Sequence, residues 1–537
     1  MTIKDTIKQE INQVLKKKYK LENIKFQVAY PLQSELGDYA CNVAMVLAKK
    51  FKKNPLEIGQ DIAGELDTHS LTLPLSKGER KNKLFEKIEA AKPGFINFYL
   101  SEKTLKKTLG EILKKKDKYG EVKADKKLKI QVEFISANPT GPLTLANGRG
   151  GFSGDVLANV LSLAGHKVAR EYLVNNWGNQ VKILGHSILG DKEAEYSGEY
   201  INQLAKQIKG DDALAVGLKG AEIILKKYIK PAVKKMGIKF DHWFFEKELH
   251  KKGKIDKMLE ELKKKNLVYE QDGALWLKTA EMRESDDKDR VLIKSNGDKT
   301  YFLADIAYHW NKFHERKFDK AINLWGADHH GYVPRMKSAM ELIGYGGKLE
   351  ILLMQMMRLI KNGKEVRMSK RKGMYVTMDE LINEVGLDVT RFFFLMHATN
   401  KAMDFDLILA KEKSEKNPVF YVQYGHARIC SIIKKSRGKL GIPTEASGQK
   451  LQPTEKELIK ELIKWPELIQ EVAENYEVHK LPFYAIALAD KFHNFYENCR
   501  VIDNNRVIKY RLDLIKAVKQ VLENVLKTLG VSAPEKM

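Results

Sequence analysis

The sequence predicts an α/β protein built around a parallel sheet, with a small α/β module before it and an all-α helical bundle after it. Two apolar segments that each lead into a polar loop, near residues 130–140 and 322–330, indicate strands of such a sheet. Amphipathic helical patterns continue from about residue 401 to the end, and they indicate the bundle. A chain of 537 residues has room for roughly three or four domains.

The segment from Val132 to Ala164 is the central structural unit around which we expect the other segments of the chain to be arranged. Residues 130–135 are rich in β-branched and aromatic side chains and predict a strand, which Asn138, Pro139, Gly141 and Pro142 must end. After Gly151, apolar residues recur at the spacing of one helix face, and Gly165 stands where a helix would stop. The prediction is strand, loop and helix.

Such a unit places backbone N–H groups and the positive end of a helix dipole at the carboxyl end of a parallel strand, where phosphate groups bind. The GxxxxGK[ST] pattern is absent, and no GxGxxG stands between this strand and helix. From the pattern alone, a nucleotide site and an ordinary structural crossover are both open.

The charge favours a polyanionic partner. Lys and Arg number 94 against 70 Asp and Glu, a formal net charge of +24, and nucleic acid is the leading candidate. The alternative is that most of these lysines are simply solvated.

The cysteines and the N-terminal residues indicate the cellular compartment in which the protein is expected. Cys41, Cys430 and Cys499 lie too far apart for a metal-binding spacing, so reduced thiols in the cytoplasm are expected. The first 20 residues lack a hydrophobic signal core, and no apolar run approaches the ~20 residues that a bilayer requires. We expect a cytoplasmic protein that contacts no membrane.

The segments before and after the central unit carry weaker signals. Residues 1–120 predict a module with a helix through Ile7, Ile11 and Leu15, a strand near 24–28, and helices over 41–50 and 55–66. Residues 103–129, dense in lysine, predict a solvated helix and linker. Residues 190–290 are charged and helix-patterned, include a predicted strand at 275–277, and suggest an insertion between two halves of the sheet domain.

Tyr301 and Asp305 are four residues apart, so on a helix they share one face. A carboxylate that accepts two parallel hydrogen bonds, beside an aromatic ring, suits a guanidinium ligand. The alternative is that Asp305 merely pairs with a surface lysine.

Residues 324–330 read apolar, then Gly326, then a polar cluster, as expected where a parallel strand reaches a ligand crevice. Asp328, His329 and His330 also suggest a metal site, but adjacent positions on a strand point apart and no third His or Cys partner has the required spacing. We therefore expect no protein-bound metal here.

Several strings together resemble one known family. They are ANPTGPLTLANGRGG at 137–151, GDYACNVAMVLAK at 37–49, TYFLADIAYHWNKF at 300–313, VRMSKRKG at 366–373, HNFYENCRV at 493–501 and LGVSAPEKM at 529–537. They are similar to strings of arginyl-tRNA synthetases, which are class I enzymes. The resemblance implies an N-terminal tRNA-contacting domain over 1–120, a Rossmann-type catalytic domain over 121–400 with the insertion at about 190–290, and an α-helical anticodon-binding domain over 401–537.

The resemblance also implies roles for single residues. Asp305 would receive the substrate guanidinium and Tyr301 would cover it, while Glu133 and Asn138 would contact the polar end of the amino acid. The RMSK string matches the second class I signature, so Lys370 would meet the ATP phosphates, with Arg367 in place of the family's first lysine. The remaining implied positions are Thr144 and Asn147 for catalysis and, for ATP binding, Pro142, Ala146, Gly148, Gly326, Asp328, His330, Met368 and Ser369.

The first signature departs from the family at one place. Thr144-Leu145-Ala146-Asn147 stands where the family has His-x-Gly-His, and both histidines there donate hydrogen bonds to the nucleotide. Losing such a donor typically costs about 2.7–4 kcal/mol. The hypothesis is that Thr144 and Asn147 still donate, with Lys370, backbone N–H groups and His329 or His330 supplying the rest.

The implied reaction joins L-arginine to tRNA. ATP and arginine would give arginyl adenylate and pyrophosphate, and the terminal ribose of the tRNA would then take the arginine. Mg²⁺ is implied on the ATP phosphates, without a tightly bound cofactor, in a monomeric enzyme. Two alternatives belong to other classes: a catalytically silent RNA-binding relative, and a small-molecule nucleotidyltransferase, which would not need the outer domains.

Overall fold

The computed structural model describes residues 1–68, 83–281, 288–366, 377–442 and 450–537. The predicted site residues Arg367, Met368, Ser369 and Lys370 lie outside the described residues. Within the described ranges, none of the helices combines the length and the apolar character of a segment that crosses a bilayer.

The N-terminal module packs three helices on an antiparallel four-stranded sheet of order β1-β2-β4-β3. Its elements are α1 (Ile3–Tyr19), β1 (Val28–Ala29), β2 (Tyr39–Cys41), α2 (Val43–Phe51), α3 (Pro55–Thr68), β3 (Phe85–Ala91), β4 (Phe95–Leu100) and α4 (Glu102–Lys115). Ile7, Ile11 and Leu15 are buried on α1, which confirms the predicted helix face. The strand predicted near 24–28 is shorter than expected, because only its last residue pairs with β2.

The central domain contains the predicted parallel sheet, five strands in the order β12-β11-β5-β6-β7. Its first half comprises β5 (Lys129–Glu133), α5 (Leu145–Leu163), β6 (Lys167–Val174), α6 (Asn179–Leu189), α7 (Glu199–Gln207), α8 (Ala213–Ile224), α9 (Lys230–Lys235) and β7 (His242–Phe245). The predicted strand, loop and helix of residues 130–164 are confirmed. Since β7 lies within 190–290, the predicted insertion also contributes the edge strand of the sheet.

The second half of this domain adds the opposite edge of the parallel sheet. It comprises α10 (Lys247–Lys251), α11 (Lys254–Lys264), β8 (Val268–Gln271), β9 (Ala274–Leu277), β10 (Arg290–Ile293), α12 (Tyr301–Trp310), β11 (Lys320–Gly326), α13 (Val333–Leu342) and β12 (Leu349–Met354). β8, β9 and β10 form a separate antiparallel sheet, and β9 confirms the strand predicted at 275–277.

A three-stranded sheet and two helices connect this domain to the bundle. They are β13 (Met357–Lys361), β14 (Lys364–Glu365), α14 (Met378–Val385), α15 (Leu387–Leu395) and β15 (Met403–Asp406), followed by the short helix α16 (Leu407–Lys411). The bundle comprises α17 (Pro418–Ser436), β16 (Gly441–Ile442), α18 (Pro453–Asn475), α19 (Lys480–Asn498), β17 (Ile502–Asp503), β18 (Arg506–Ile508) and α20 (Lys509–Leu529). The predicted C-terminal helical bundle is thus present, with one small sheet added.

The apolar core continues from one domain into the next. One cluster of buried side chains includes residues of the N-terminal module, of α5 and of the bundle, so the outer domains pack on each other and on the sheet domain. A second cluster lies between α11, α12, α13 and the sheet. The carboxyl ends of the parallel strands are the place where polar side chains collect.

Candidate active site

The site lies where strands β5, β6, β7 and β11 end. Parallel strands present their carboxyl ends at one edge, so residues distant in the sequence meet there. Glu133 ends β5, with Glu171 of β6 and Asn323 of β11 directly opposite it in the sheet. Glu246 follows β7, and Gly326 ends β11. The crevice is therefore assembled from four separate strand ends.

Helix α12 carries the predicted guanidinium residues. Tyr301 is its first residue, after Thr300, whose hydroxyl accepts a hydrogen bond from the Leu303 N–H. Tyr301 is 56% exposed, and its hydroxyl accepts from the backbone N–H of Asn179 at 3.0 Å. One turn later, Asp305 Oδ2 accepts a hydrogen bond from the Tyr332 hydroxyl at 2.6 Å. The prediction that Tyr301 and Asp305 share a helix is confirmed, and their ligand roles stay predictions.

Asp305 is accompanied by a second carboxyl group that the sequence reasoning missed, Glu246. Burial raises the pKa of Asp305 to about 6, although the hydrogen bond from Tyr332 opposes this rise. Burial and the negative charge of Asp305 together raise the pKa of Glu246 to about 8. Among the described residues, Glu246 Oε2 has no hydrogen-bond partner. A cation bound near these two carboxyls would favour the ionised form of both.

Glu133 is buried beneath α12. Its Oε2 lies 2.6 Å from the ammonium group of Lys312 and 3.0 Å from the Tyr308 hydroxyl, and its Oε1 accepts from the Ser136 hydroxyl at 3.2 Å. Burial raises the pKa of Glu133, but the charge of Lys312 and the hydrogen bonds from Lys312 and Tyr308 outweigh this, so that the pKa falls below its usual range. Glu133 is thus held as a carboxylate. Its Oε2 is occupied by hydrogen bonds from Lys312 and Tyr308, and its Oε1 lies next to the loop that follows β5.

The loop after β5 has an unusual backbone. Ile135 and Ser136 both adopt positive φ, at 66° and 37°, which is a costly conformation for a β-branched residue. This turn directs the Ser136 hydroxyl to Glu133 while the same oxygen accepts from the Leu173 N–H at 3.1 Å. Further along the loop, the Asn138 side chain donates to the side-chain amide oxygen of Gln180. Asn138 is therefore in contact with the first turn of α6.

The first signature forms the start of α5. Thr144 is its N-cap residue, and Asn147 Oδ1 accepts hydrogen bonds from the Thr144 N–H at 2.9 Å and the Thr144 hydroxyl at 3.0 Å. Pro142 is half-buried and Ala146 is exposed, whereas Gly148 is covered by Met378, into which a Cβ at this position would run. Thr144 and Asn147 thus serve first to cap the helix, and the Asn147 amide group is the donor left for a ligand.

The polar cluster after β11 is exposed at the same edge of the sheet. Gly326 ends β11, and residues 327–332 form a helical turn in which His330 Nδ1 lies 3.3 Å from the Ala327 carbonyl oxygen. The Asp328 side chain is 80% exposed, with the His329 ring 3.5 Å away. In the described part of the chain, no group of three or more His, Cys, Asp or Glu side chains is arranged to hold a metal ion.

The second signature lies outside the described residues, but both of its flanks are placed. Glu365 of β14 precedes it, and Thr377 follows it. Thr377 forms an isolated antiparallel bridge with Thr144, and the Met378 N–H donates to the Leu143 carbonyl oxygen at 3.0 Å. The chain that returns from the RMSK string is therefore hydrogen-bonded to the first signature.

The bundle presents an aromatic and basic surface. The Arg428 guanidinium lies 4.7 Å from the ring centroid of Tyr424 and 4.8 Å from that of Tyr496, and both rings are more than a third exposed. Bases of single-stranded RNA stack on aromatic rings and on arginine planes. Gln423, on the same helix, is buried and donates to Asp388 and Ser532, so it does not belong to this surface.

Comparison with protein families assigns most of the chain to three successive regions. Residues 1–100 match the family described as arginyl tRNA synthetase N terminal domain. Residues 108–205 and 188–406 match the catalytic domain of class I (R) tRNA synthetases. Residues 422–537 match the DALR anticodon binding domain.

Individual relatives extend over nearly the full length. The arginine–tRNA ligase of Citrifermentans bemidjiense is 42% identical over 95% of this chain and 94% of its own. That of Caldanaerobacter subterraneus subsp. tengcongensis is 42% identical over 100% and 98%. Among solved structures, the arginyl-tRNA synthetase of Thermus thermophilus covers both chains completely with a TM-score of 0.78 at 22% identity, and this likeness concerns the fold.

Proposed function

The chain belongs to the arginyl-tRNA synthetase family, and we propose how the crevice at the carboxyl ends of β5, β6, β7 and β11 carries out its reaction. The enzyme is an arginine–tRNA ligase: it activates L-arginine with ATP and transfers the arginine to the terminal ribose of its tRNA. The observation that supports the site most strongly is the pair formed by the half-buried Asp305 and the buried Glu246, two carboxyls with raised pKa.

The guanidinium group of the substrate binds between Asp305 and Glu246. A planar cation with several N–H donors can satisfy Asp305 and the unpartnered Glu246 Oε2 together, and it favours the ionised form of both. Tyr301, largely exposed and anchored to the backbone of Asn179, then covers the guanidinium plane. A neutral side chain of the same shape would leave both carboxyls without a counter-charge.

The polar end of the amino acid binds at the loop that follows β5. Glu133 Oε1, which accepts only the Ser136 hydroxyl bond among the described residues, receives the α-ammonium group. Asn138, held by Gln180, contacts the carboxylate. Together with Asp305 this fixes the substrate at both ends, so its carboxylate oxygen is aimed at the α-phosphate of ATP. Positioning of this kind supplies a large share of the acceleration in such reactions.

ATP binds between the start of α5 and the turn after β11. The backbone N–H near Ala146 and the Asn147 amide face the phosphates, while Gly326, Asp328 and His330 surround the nucleoside. The Gly148 N–H donates to the Thr144 carbonyl oxygen at 3.2 Å, so Gly148 serves the packing of the helix start under Met378 and gives no donor to ATP. Lys370, with Arg367, Met368 and Ser369, follows β14 in the sequence and supplies the cation that meets the charge developing on pyrophosphate. Mg²⁺ enters with the ATP phosphates as part of the substrate.

The outer domains bind the tRNA. We assign residues 1–120 to contacts with the body of the tRNA and residues 401–537 to the anticodon, with Tyr424, Arg428 and Tyr496 as the surface on which bases stack. Residues 121–400 form the catalytic domain. All proposed contacts with arginine come from one chain, so the monomer is the proposed working unit, in the cytoplasm where translation takes place.

A charging assay tests this function. The purified chain is given ATP, tRNA and one radiolabelled amino acid, with lysine, glutamate and canavanine as competitors of arginine. We expect arginine to be attached to tRNA and lysine and glutamate to be rejected, because neither carries a planar cation. Retained tRNA binding without arginine-dependent exchange of pyrophosphate into ATP would instead identify a catalytically silent relative.

A further inference from the structure

Helix α12 turns a polar face toward the sheet. Asp305, Tyr308, His309 and Lys312 stand at positions i, i+3, i+4 and i+7, so they lie on one side of the helix. The sheet opposite them is also polar: Gln131, Glu133, Glu171 and Asn323 are all buried there. At residues 311–315 the helix widens into a π-turn, a feature often found at functional sites.

Lys312 is the centre of this layer. Its side chain is fully buried, at 0% exposure, and its ammonium group lies 2.6 Å from Glu133 Oε2 and 3.0 Å from Asn323 Oδ1. The same group lies 4.4 Å from the centroid of the Tyr308 ring. A buried lysine is costly unless it is paired and hydrogen-bonded, and here both conditions are met.

The two carboxylate oxygens of Glu133 have different hydrogen-bonding environments. Oε2 is occupied by Lys312 and Tyr308 under the helix, whereas Oε1 is bound only by the Ser136 hydroxyl among the described residues and keeps a lone pair on the side of the loop. We propose that Lys312 is a positioning residue for the substrate: it holds Glu133 ionised and oriented so that Oε1 can receive the α-ammonium group of arginine. This inference rests on the proposed function of the crevice.

Removing Lys312 should change the charge of Glu133. The groups that face Glu133 are Lys312, His309, Tyr308 and Asp305 from α12 and its π-turn, and Glu171 from β6. Glu171 is itself paired with Arg316, which donates to both of its oxygens. Burial lowers the pKa of His309 to about 3, so this ring is neutral. Without Lys312, the hydrogen bond from Tyr308 would remain, but the opposing positive charge would be lost, so burial would raise the pKa of Glu133.

The test uses K312M and K312Q, which remove the charge. K312Q keeps a side chain that can donate to Glu133 and Asn323, and it provides the measurement if K312M does not fold. The control is K254M, which breaks the partly exposed Lys254–Glu315 pair, 2.5 Å long, beside the same π-turn. Wild type and variants are assayed for exchange of pyrophosphate into ATP with tRNA present. The KM values for arginine and for ATP are measured from about pH 6.5 to about pH 9.

We expect the KM for arginine of the Lys312 variants to exceed that of wild type at least about tenfold near neutral pH, with the KM for ATP unchanged. The ratio of variant to wild-type KM should fall as pH rises, because Glu133 regains its charge. Asp305 and Glu246 make the KM for arginine depend on pH in wild type and variants alike. Dividing the KM of a variant by that of wild type removes this shared dependence. K254M should give a ratio near 1 at every pH.

Two results would overturn the inference. If the ratio of KM values for arginine stays constant with pH, Lys312 only fills the core. If the KM for arginine and the KM for ATP rise by the same factor, the substitution damages the whole site. Failure of the proposed function is distinguishable from both, since wild type would then show no arginine-dependent exchange at all.

Discussion

At the scale of residues, the crevice is governed by three carboxyl groups in unlike surroundings. Glu133 is paired with Lys312 and stays ionised, whereas burial raises the pKa of Asp305 and of Glu246. Chemically similar side chains therefore have different charge states in this crevice, which separates their roles. In the proposed function, a guanidinium supplies the counter-charge that Asp305 and Glu246 need.

The pH dependence of arginine binding follows from this pair. With pKa values of about 6 for Asp305 and about 8 for Glu246, both carboxyls are neutral in acid and both are ionised in mild alkali. The affinity for arginine should therefore rise from about pH 5.5 to about pH 8.5, with proton release on binding near neutrality. Isothermal titration in two buffers of different ionisation enthalpy measures the released proton. Proton uptake, or no pH dependence, would contradict the assignment.

The Asn147 side chain has two functions that substitution can separate. Asn147→Ala removes both the oxygen that Thr144 binds and the amide donor, and should lower the activation rate at least tenfold. Loss of the cap should also cost about 0.5–2 kcal/mol of stability. Asn147→Asp keeps the cap but removes the donor, so it should unfold at the wild-type temperature and still lose activity. Wild-type activity in N147D would remove Asn147 from the phosphate site.

At the scale of elements, α5 is held in place by close packing of glycines. Fourteen of its 19 residues are buried, and its first turn sets the position of the phosphate site. A Cβ at Gly154 would overlap the Phe134 ring, and one at Gly151 would lie 2.8 Å from the Met236 methyl. Glycine therefore lets this helix approach β5 and α9 more closely than any other residue would.

A pair of glycine substitutions tests this packing. Gly154→Ala should destabilise the protein by about 1–3 kcal/mol, because the added methyl overpacks against Phe134. Gly110→Ala is the matched control: Gly110 lies inside α4 with open space around its Cα, so alanine should stabilise by about 0.5–1 kcal/mol. Urea denaturation measures both, and equal effects would show that the α5 contact does not constrain the helix.

Periodicity within one element was predictable, whereas contacts between elements were not. The helix beginning at Tyr301 and the strand, loop and helix of 130–164 follow from local patterns, and the structure contains both. Glu246 gave only a weak signal, a carboxyl after the apolar run HWFF, because its meaning depends on β7 lying beside β6. Lys312 read as one more solvated lysine, since its burial arises from a strand almost 180 residues away in the sequence.

At the scale of the molecule, α18 joins the two outer domains. Glu467 on this helix is 3% exposed and accepts hydrogen bonds from the hydroxyls of Tyr30 and Tyr39 and from the Lys4 N–H. Trp465, on the same helix, donates to the Tyr119 carbonyl oxygen at 3.0 Å. The N-terminal module and the bundle are thereby held at a fixed separation, which the proposed binding of two parts of one tRNA requires.

Breaking this contact should affect tRNA more than the small substrates. Glu467→Ala leaves two buried tyrosine hydroxyls without their acceptor, and we expect the KM for tRNA to rise about tenfold while the KM values for arginine and ATP stay within about twofold. Steady-state charging assays measure all three. Glu474→Ala, an exposed position on the same helix, is the control. A uniform rise in all three values would indicate loss of folding instead.

The central claim is that Asp305 and Glu246 select a guanidinium group by its charge. The most direct test compares arginine with citrulline, its neutral isostere, in exchange of pyrophosphate into ATP by wild type and by D305N. We expect wild type to prefer arginine by at least about 1,000-fold in kcat/KM, and D305N to lose most of that preference, as when a buried charge loses its partner. Similar preference in both proteins, or efficient use of citrulline by wild type, would contradict the claim.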